Sequence, residues 1–272
     1  MEYKIVFSDI DGTLLNSNHQ ISRGTLDSVL ALKQIGVPFI LVSARMPNGI
    51  LPLQKELRIN EPIICFSGAL VLGAVQADGT RKVLLNKTLN PSDVRDVYTL
   101  ISDRFPLISF SAYNKENWFV TSLNDEWVIQ EQKIAGTPPQ LFNFAGNNHP
   151  TMNKLLCMGP PQAIDSLETE LKRYHPEITI YKSKPTYLEI MARDVQKSSA
   201  IMTLLESYHV TKQEIIAIGD NYNDIDMIRF AGLGVAMGNS PDEVKASAHI
   251  ITLANDEDGV KDVIERYCLQ LK

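Results

Sequence analysis

The stretch Lys4-Ile5-Val6-Phe7-Ser8-Asp9-Ile10-Asp11-Gly12-Thr13-Leu14 organises the chain. Lys4 to Phe7 is a short apolar run, the pattern of a strand buried on both faces of a parallel sheet. It ends at Ser8, Asp9 and Asp11. Beyond it, Ser22 is placed to cap a helix carrying Leu26, Val29 and Leu30 on one face, and Gly36 to end it. Val37 to Val42 reads as the second strand and stops at Ser43-Ala44-Arg45. Ile63 to Phe66 reads as a third and stops at Ser67-Gly68-Ala69.

The C-terminal part repeats this grammar. Ile201, Leu204, Leu205 and Tyr208 fall at helical spacing. Ile215 to Ile218 is a strand ending at Gly219-Asp220, a helix is expected over Asp224 to Phe230, and Leu233 to Ala236 is another strand. Ser240-Pro241-Asp242-Glu243 reads as a capping box. Strands alternating with helices predict an α/β fold, a doubly wound parallel-sheet (Rossmann-like) core. The middle of the chain differs. A helix from Asn90-Pro91 carries Val94, Val97, Tyr98 and Ile101. Strand-like runs follow at 107–110 and 118–121, then a loop-rich stretch at 136–150. Lys154 to Met158, Thr179 to Tyr181 and Tyr187 to Met191 are strands around a helix over Ala163 to Tyr174. Adjacent strands of this kind predict an inserted α+β domain at 84–187, within a core formed by 1–83 and 188–272.

Composition narrows the function classes. The 272 residues carry 26 basic and 32 acidic side chains, a net charge of −6, which leaves no electrostatic footprint for nucleic acid. The longest apolar stretch, Pro62 to Val75, is interrupted by Ser67, Gly68 and Gly73 and is too short to span a membrane. The N-terminus has no signal-peptide pattern. Three well-separated cysteines, Cys65, Cys157 and Cys268, fit reduced thiols and a cytoplasmic location. The five histidines, His19, His149, His175, His209 and His249, show no spacing suited to zinc.

The ends of the apolar runs carry the chemistry. Ligands of open α/β sheets bind beyond the carboxyl ends of the strands. A parallel sheet brings Asp9, Asp11, Ser43, Ser67-Gly68, Asp220, Asn223 and Asp224 to one edge. Carboxylates gathered this closely repel one another. A hard divalent cation relieves the repulsion, and Mg²⁺ also keeps waters and takes phosphate. Lys197 stands at a helix start, where a cation opposes the macrodipole. Such local rule-breaking is expected at functional sites, and a lysine beside a helix N-terminus suits a phosphate dianion.

Asp9-Ile10-Asp11-Gly12-Thr13-Leu14 resembles the first motif of the haloacid dehalogenase-like phosphatases. Ser43, Lys197 and Gly219-Asp220-Asn221-Tyr222-Asn223-Asp224 are similar to the second, third and fourth, in order. Gly234 to Asn239 and Asn255 to Val260 resemble the Cof-type branch, which carries a large α/β cap between the second and third motifs. The resemblance implies that Asp9 attacks phosphorus and that Asp11 serves as acid and then base. It implies Mg²⁺ on the Asp9 carboxylate, the Asp11 backbone carbonyl and Asp220. Ser43 and Lys197 would hold phosphoryl oxygens, Asn223 would help position the phosphate, and Asp224 would orient Lys197 or the metal shell. Gly12 and Ala44 support as neighbours within their motifs. The implied partner is a small phosphate ester, a sugar phosphate or a phosphorylated cofactor. The cap closes over it on hinges near 82–86 and 188–194.

Asp11 separates phosphatases and mutases from the dehalogenases of the superfamily. A phosphomutase and a non-catalytic phospho-ligand sensor are the alternatives. The chain departs from the branch at Ala44, Ser67, Asp194 and Ser198, where glycine or asparagine is usual. Asp194 is placed either to pair with Arg193 or to alter a hinge. Arg45 is open to substrate or to a surface ion pair. Tyr113, Lys115 and Tyr187 read as core or surface residues of the insertion, with substrate contact as the alternative, and Trp118-Phe119 as its core. The sequence carries no reading of oligomeric state.

Overall fold

The computed structural model describes residues 3–146 and 150–269, so His149 and part of the loop-rich stretch lie outside the described residues. The N-terminal elements are β1 (Ile5–Ser8), α1 (Arg23–Gln34), β2 (Phe39–Val42), α2 (Leu51–Leu57), β3 (Ile63–Cys65), β4 (Leu70–Val75) and β5 (Arg81–Asn86). Next come α3 (Pro91–Arg104), β6 (Ser109–Asn114), β7 (Asn117–Val120), α4 (Glu126–Ala135), β8 (Gln140–Leu141), β9 (Lys154–Met158), α5 (Pro161–Tyr174), β10 (Ile178–Lys184) and β11 (Tyr187–Ala192). The chain closes with α6 (Lys197–Tyr208), β12 (Ile215–Gly219), α7 (Ile225–Phe230), β13 (Leu233–Ala236), α8 (Asp242–Lys245), β14 (Ile250–Ile251) and α9 (Gly259–Ile264). These elements form two compact units. One takes in the chain up to Ala44, Ile50–Leu85 and the chain from Gln196; the other takes in Arg45–Gly49 and Asn86–Val195.

The first unit is built on an eight-stranded sheet in the order β14-β13-β12-β1-β2-β3-β4-β5. The pairings from β14 to β3 are parallel. All residues of β1, β2 and β12 are buried, which is why these strands read as unbroken apolar runs rather than as alternations. Ile5, Phe7, Ile40, Val42 and Ala217 pack with Ala200, Ile201 and Leu204 of α6 and Met227 of α7. The helix α1 packs against β2 and α9. Ser22 caps α1 by accepting from the Thr25 N–H at 3.0 Å, and Gly36, at φ +77°, follows its end.

This unit departs from the sequence expectation in several places. The helix α2 is short and carries no side-chain cap. The strand β4 runs antiparallel to β3, because Phe66, Ser67 and Gly68 take φ of 51°, 53° and 106° in succession and reverse the chain. The apolar stretch from Pro62 to Val75 is this tight hairpin. The capping box expected at Ser240 does not form: the Ser240 Oγ is buried without a hydrogen-bond partner, and the short α8 starts at Asp242. Among the described residues no helix is long and apolar enough to cross a membrane.

The second unit is an α+β sandwich on a six-stranded sheet, ordered β10-β11-β9-β6-β7-β8. Val94, Val97 and Ile101 of α3 and Ile164, Leu167 and Leu171 of α5 fall at i, i+3 and i+7, one helical stripe each. They share one core with Phe110, Ala112, Leu155, Cys157, Leu188 and Ile190 from the sheet. The opposite face mixes buried polar side chains with apolar ones such as Leu156 and Met158. Lys154 pairs with Glu189 at 3.4 Å and lies 5.2 Å from the centre of the Tyr113 ring, which stacks on Trp118. Tyr187 donates to Glu131 of α4 at 3.0 Å, so Tyr113, Tyr187 and Trp118 belong to the interior of this unit. Lys115 is exposed. Phe119 is partly buried against the helix-side core. The strand β11 pairs with both β9 and β10, so this sheet extends past residue 187. The helix α4, which starts from an Asp125 cap, is a further element the sequence reading lacks.

Candidate active site

Sheet register brings the first and fourth motifs together. Ser8 lies opposite Ile218, and the Asp9 N–H donates to the Ile218 carbonyl at 2.9 Å. The next residues on the neighbouring strand are Gly219 and Asp220. Carboxylate oxygens of Asp9, Asp220 and Asp224 lie within 4.8 Å of one another. Gly12, at φ +83°, is held against Asp220: a Cβ there would sit 2.4 Å from Asp220 Oδ2. Only glycine combines that backbone with that approach.

Lys197 enters this cluster from the first residue of α6. Its Nζ donates to Asp9 Oδ1 at 2.5 Å and to Asp224 Oδ1 at 2.5 Å, with its side chain wholly buried. The other Asp224 oxygen accepts from the Asp220 and Asn221 N–H groups at 3.0 and 2.9 Å. Asp224 therefore holds both the lysine and the loop that bears Asp220. Asp220 Oδ1 accepts from Thr13 Oγ1 at 2.7 Å.

Charge balance in the cluster is poor. Burial pushes Asp9 well above the usual carboxylate range; Lys197 opposes this, while Asp224 and Asp220 add to it. Burial and then Asp224 raise Asp220 to about 7. Burial pulls Lys197 down, but Asp224 and Asp9 outweigh it and keep the ammonium charged. Three carboxylates thus share one ammonium. A hard cation with oxygen ligands fits such a donor set, because it supplies the charge that Lys197 alone does not.

The remaining candidates take other places. Asp11 is exposed, and its carboxylate stands outside the three-acid cluster. Ser43 is buried at the carboxyl end of β2, its carbonyl accepting from the Ser67 N–H at 2.9 Å. Ala44 follows it, half-buried, and Asn223 is half-buried in the turn between Asp220 and α7. Arg45 donates to the Gly49 carbonyl at 3.0 Å. Ser67 Oγ is buried without a partner. Asp194 takes φ +58°, the left-handed conformation that the glycine usual there would favour and that aspartate tolerates. Its carboxylate lies 3.9 Å from Arg193, both side chains being highly exposed.

Two supporting residues escape the sequence reading. Thr13 is the hydroxyl on Asp220. Asp226 accepts from the Ser198 N–H at 2.7 Å, which satisfies an open donor in the first turn of α6. That helix has no cap from its own Gln196. A carboxylate at this end also complements the macrodipole that Lys197 opposes. Gly68 completes the support, since a Cβ there would meet the Gln196 carbonyl at 2.3 Å. Thr13 was visible inside the first motif, whereas nothing in the spacing of Asp226 marks it as a cap for a distant helix.

Known proteins match throughout. The family model of the haloacid dehalogenase-like hydrolases matches residues 6–264. A Haemophilus influenzae protein that carries the provisional name phosphatase is 36% identical over 97% of this chain and 98% of its own. A 5-amino-6-(5-phospho-D-ribitylamino)uracil phosphatase of Bacillus subtilis is 27% identical over 99% of this chain and 97% of its own. The crystal structure of a haloacid dehalogenase-like hydrolase from Bacteroides thetaiotaomicron superposes with a TM-score of 0.87 at 31% identity, covering 97% of this chain and 99% of that one. With Asp9, Asp220 and Asp224 gathered at one buried lysine, this chain belongs to the haloacid dehalogenase-like hydrolases, in their Cof-type branch.

Proposed function

We propose that this hydrolase is a magnesium-dependent phosphatase of small phosphorylated metabolites that works through an aspartyl phosphate on Asp9. The observation that carries the reading is the buried Asp9 carboxylate, held by Lys197 at 2.5 Å beside Asp220. A carboxylate oxygen of Asp9 attacks phosphorus while Asp11 gives its proton to the departing ester oxygen. The alcohol leaves. Asp11, now ionised, takes a proton from water as that water attacks the acyl phosphate, and inorganic phosphate departs with Asp9 restored. Ser43, Lys197 and Asn223 hold the phosphoryl oxygens through this exchange. The carboxylates of Asp9 and Asp220 and the backbone carbonyl of Asp11 are the oxygen donors for Mg²⁺. Asp224 is committed to Lys197 and two backbone N–H groups. When bound, the ion supplies positive charge against the transferring phosphoryl group.

Sugar phosphates are the first substrate class, and phosphorylated cofactors the second. The ribityl phosphate named for the Bacillus subtilis relative supports a polyol ester. The test is phosphate release from a panel of sugar phosphates, pyridoxal phosphate and flavin mononucleotide, with Mg²⁺ and with EDTA. Release that EDTA abolishes is expected. Folded protein that turns over none of the panel with Mg²⁺, or turns it over equally in EDTA, contradicts the reading.

The raised Asp220 sets a pH dependence. Its ordinary value is 3.8 and its folded value is about 7. Between these the metal-free fold holds a proton that the unfolded chain has released, so stability falls as pH rises through that window. A metal ion must displace this proton. Mg²⁺ should therefore raise the unfolding midpoint more at about pH 8 than at about pH 5.5, because the proton no longer competes at the higher pH. Thermal unfolding followed by circular dichroism, with Mg²⁺ and with EDTA, reads this directly. Equal increments at both pH values would show that the ion does not bind at Asp220.

A further inference from the structure

The tail segments Met237-Gly238-Asn239 and Asn255-Asp256 have no part in the chemistry above, yet they close on the loop that carries Asp11. They follow β13 and β14, the two strands beyond β12 at that end of the sheet. The Gly238 N–H donates to the Leu253 carbonyl at 3.0 Å, which ties the two tail loops together. Asn239 Nδ2 donates to the Gly12 carbonyl at 2.9 Å. Asn239 Oδ1 accepts from the Asn255 N–H at 3.0 Å. Asn255 Nδ2 donates to the Leu15 carbonyl at 2.9 Å. One residue further, Asp256 Oδ1 accepts from the Ser17 N–H at 2.8 Å.

These bonds fall on both sides of one turn. The Leu15 N–H donates to the Ile10 carbonyl at 2.9 Å, and Asp11 bridges to Leu15, so the segment from 10 to 15 folds back on itself. Asp9 is locked by strand pairing and by Lys197. Asp11 is exposed and lies beyond the end of β1, and its backbone is part of that turn. Each asparagine amide is matched to this task. It donates to a backbone carbonyl of the turn, and the Asn239 amide accepts an N–H at the same time.

Resting on the phosphatase reading above, we infer that Asn239 and Asn255 are positioning residues for Asp11. They fasten the Gly12 and Leu15 carbonyls so that the acid reaches the departing ester oxygen. A general acid must come within about 2.6–3.2 Å of that atom, and a displacement of about 1 Å costs on the order of 10²-fold in rate.

The leaving group separates this role from a merely structural one. An alkyl phosphate needs a proton on its departing oxygen, whereas p-nitrophenyl phosphate releases a stable phenolate. Values of kcat/KM, which report aspartyl phosphate formation, are to be measured for both esters in wild type, Asn239→Ala, Asn255→Ala and, for reference, Asp11→Asn. Both asparagine variants should lose about 10- to 100-fold on the alkyl ester and less than about 3-fold on the aryl ester, following the direction of Asp11→Asn. Hydrogen exchange in the same proteins should show faster exchange of amides 10–15, joined in Asn239→Ala by the Asn255 amide that loses its acceptor. Equal losses on both esters, no loss on either, or unchanged exchange in that segment would overturn the assignment. Wild type inactive on both esters would remove the phosphatase reading itself; an active wild type with unselective variants removes only this role.

Discussion

Asp9→Asn loses phosphate release by at least about 10³-fold, some 4 kcal/mol of transition-state stabilisation. An amide oxygen does not open a covalent path to phosphorus, and the two carboxylates clustered with Asp9 have partners of their own. Asp224 is gripped by Lys197 and by two backbone N–H groups, and Asp220 accepts from Thr13. The fold survives the change. The amide oxygen of the substituted side chain still accepts from Lys197, and the variant removes a buried negative charge that its surroundings already disfavour. Its metal-free unfolding midpoint should equal or exceed that of wild type. Rapid acid quench with labelled substrate should trap phosphoenzyme in wild type and in Asp11→Asn, and none in Asp9→Asn. Retained turnover or retained label in Asp9→Asn would rule out the covalent path.

Lys197→Met should be costly in two ways at once. The methionine matches the lysine stem in volume, so packing changes little and the electrostatic loss dominates. Two buried hydrogen bonds disappear, and three carboxylates within 4.8 Å of one another remain without their ammonium. Removing one partner from a buried pair costs about 3–5 kcal/mol. The sign with pH follows from the same cluster. Asp9 and Asp220 already bind protons more tightly than free carboxylates, and loss of Lys197 strengthens that tendency. The variant is therefore destabilised most above about pH 7, where the carboxylates are ionised, and least near about pH 5, where they take up protons. Mg²⁺ should restore part of the lost midpoint, since it replaces the missing charge. Denaturant titration at the two pH values checks this. A loss below about 1 kcal/mol at the higher pH would mean that the ion pairs are dispensable to the fold. Phosphate release should fall at least as far as in Asp9→Asn, because both the phosphoryl contact and the orientation of the nucleophile depend on this side chain.

Much of the first unit was legible because its strands are buried on both faces. Ile5–Ser8, Phe39–Val42, Ile215–Gly219 and Leu233–Ala236 stand out as short apolar runs, each closed by a small or acidic residue. The parallel order carries those ends to one edge, so Asp9 and Asp220 could be paired from the chain alone. Lys197 was legible as a residue at odds with its helix start. The strands of the second unit were visible, but β11 belongs to its sheet and carries that unit past the boundary expected at 187. The helices α2 and α4 were missed: the one has no side-chain cap, and the other lies beyond a strand in a stretch of few apolar repeats.

Other features depend on contacts between residues far apart in sequence. The chain reversal at Phe66 to Gly68 depends on three consecutive left-handed residues, of which only one is glycine. The capping box at Ser240 matches the pattern, yet the hydroxyl is buried without a partner. The Lys197 helix takes its cap from Asp226, 28 residues away in sequence. The turn bearing Asp11 is fastened by Asn239, 227 residues beyond Gly12. Hydrophobic period and local capping patterns are properties of neighbouring residues, so the chain alone settled the α/β core and brought acidic residues to one end of its strands. Hydrogen bonds across such separations arise only when the sheet order sets loops side by side, so the tertiary structure decided how the lysine is shared, which carboxylate holds it together with two backbone N–H groups, and what fastens the turn that bears Asp11.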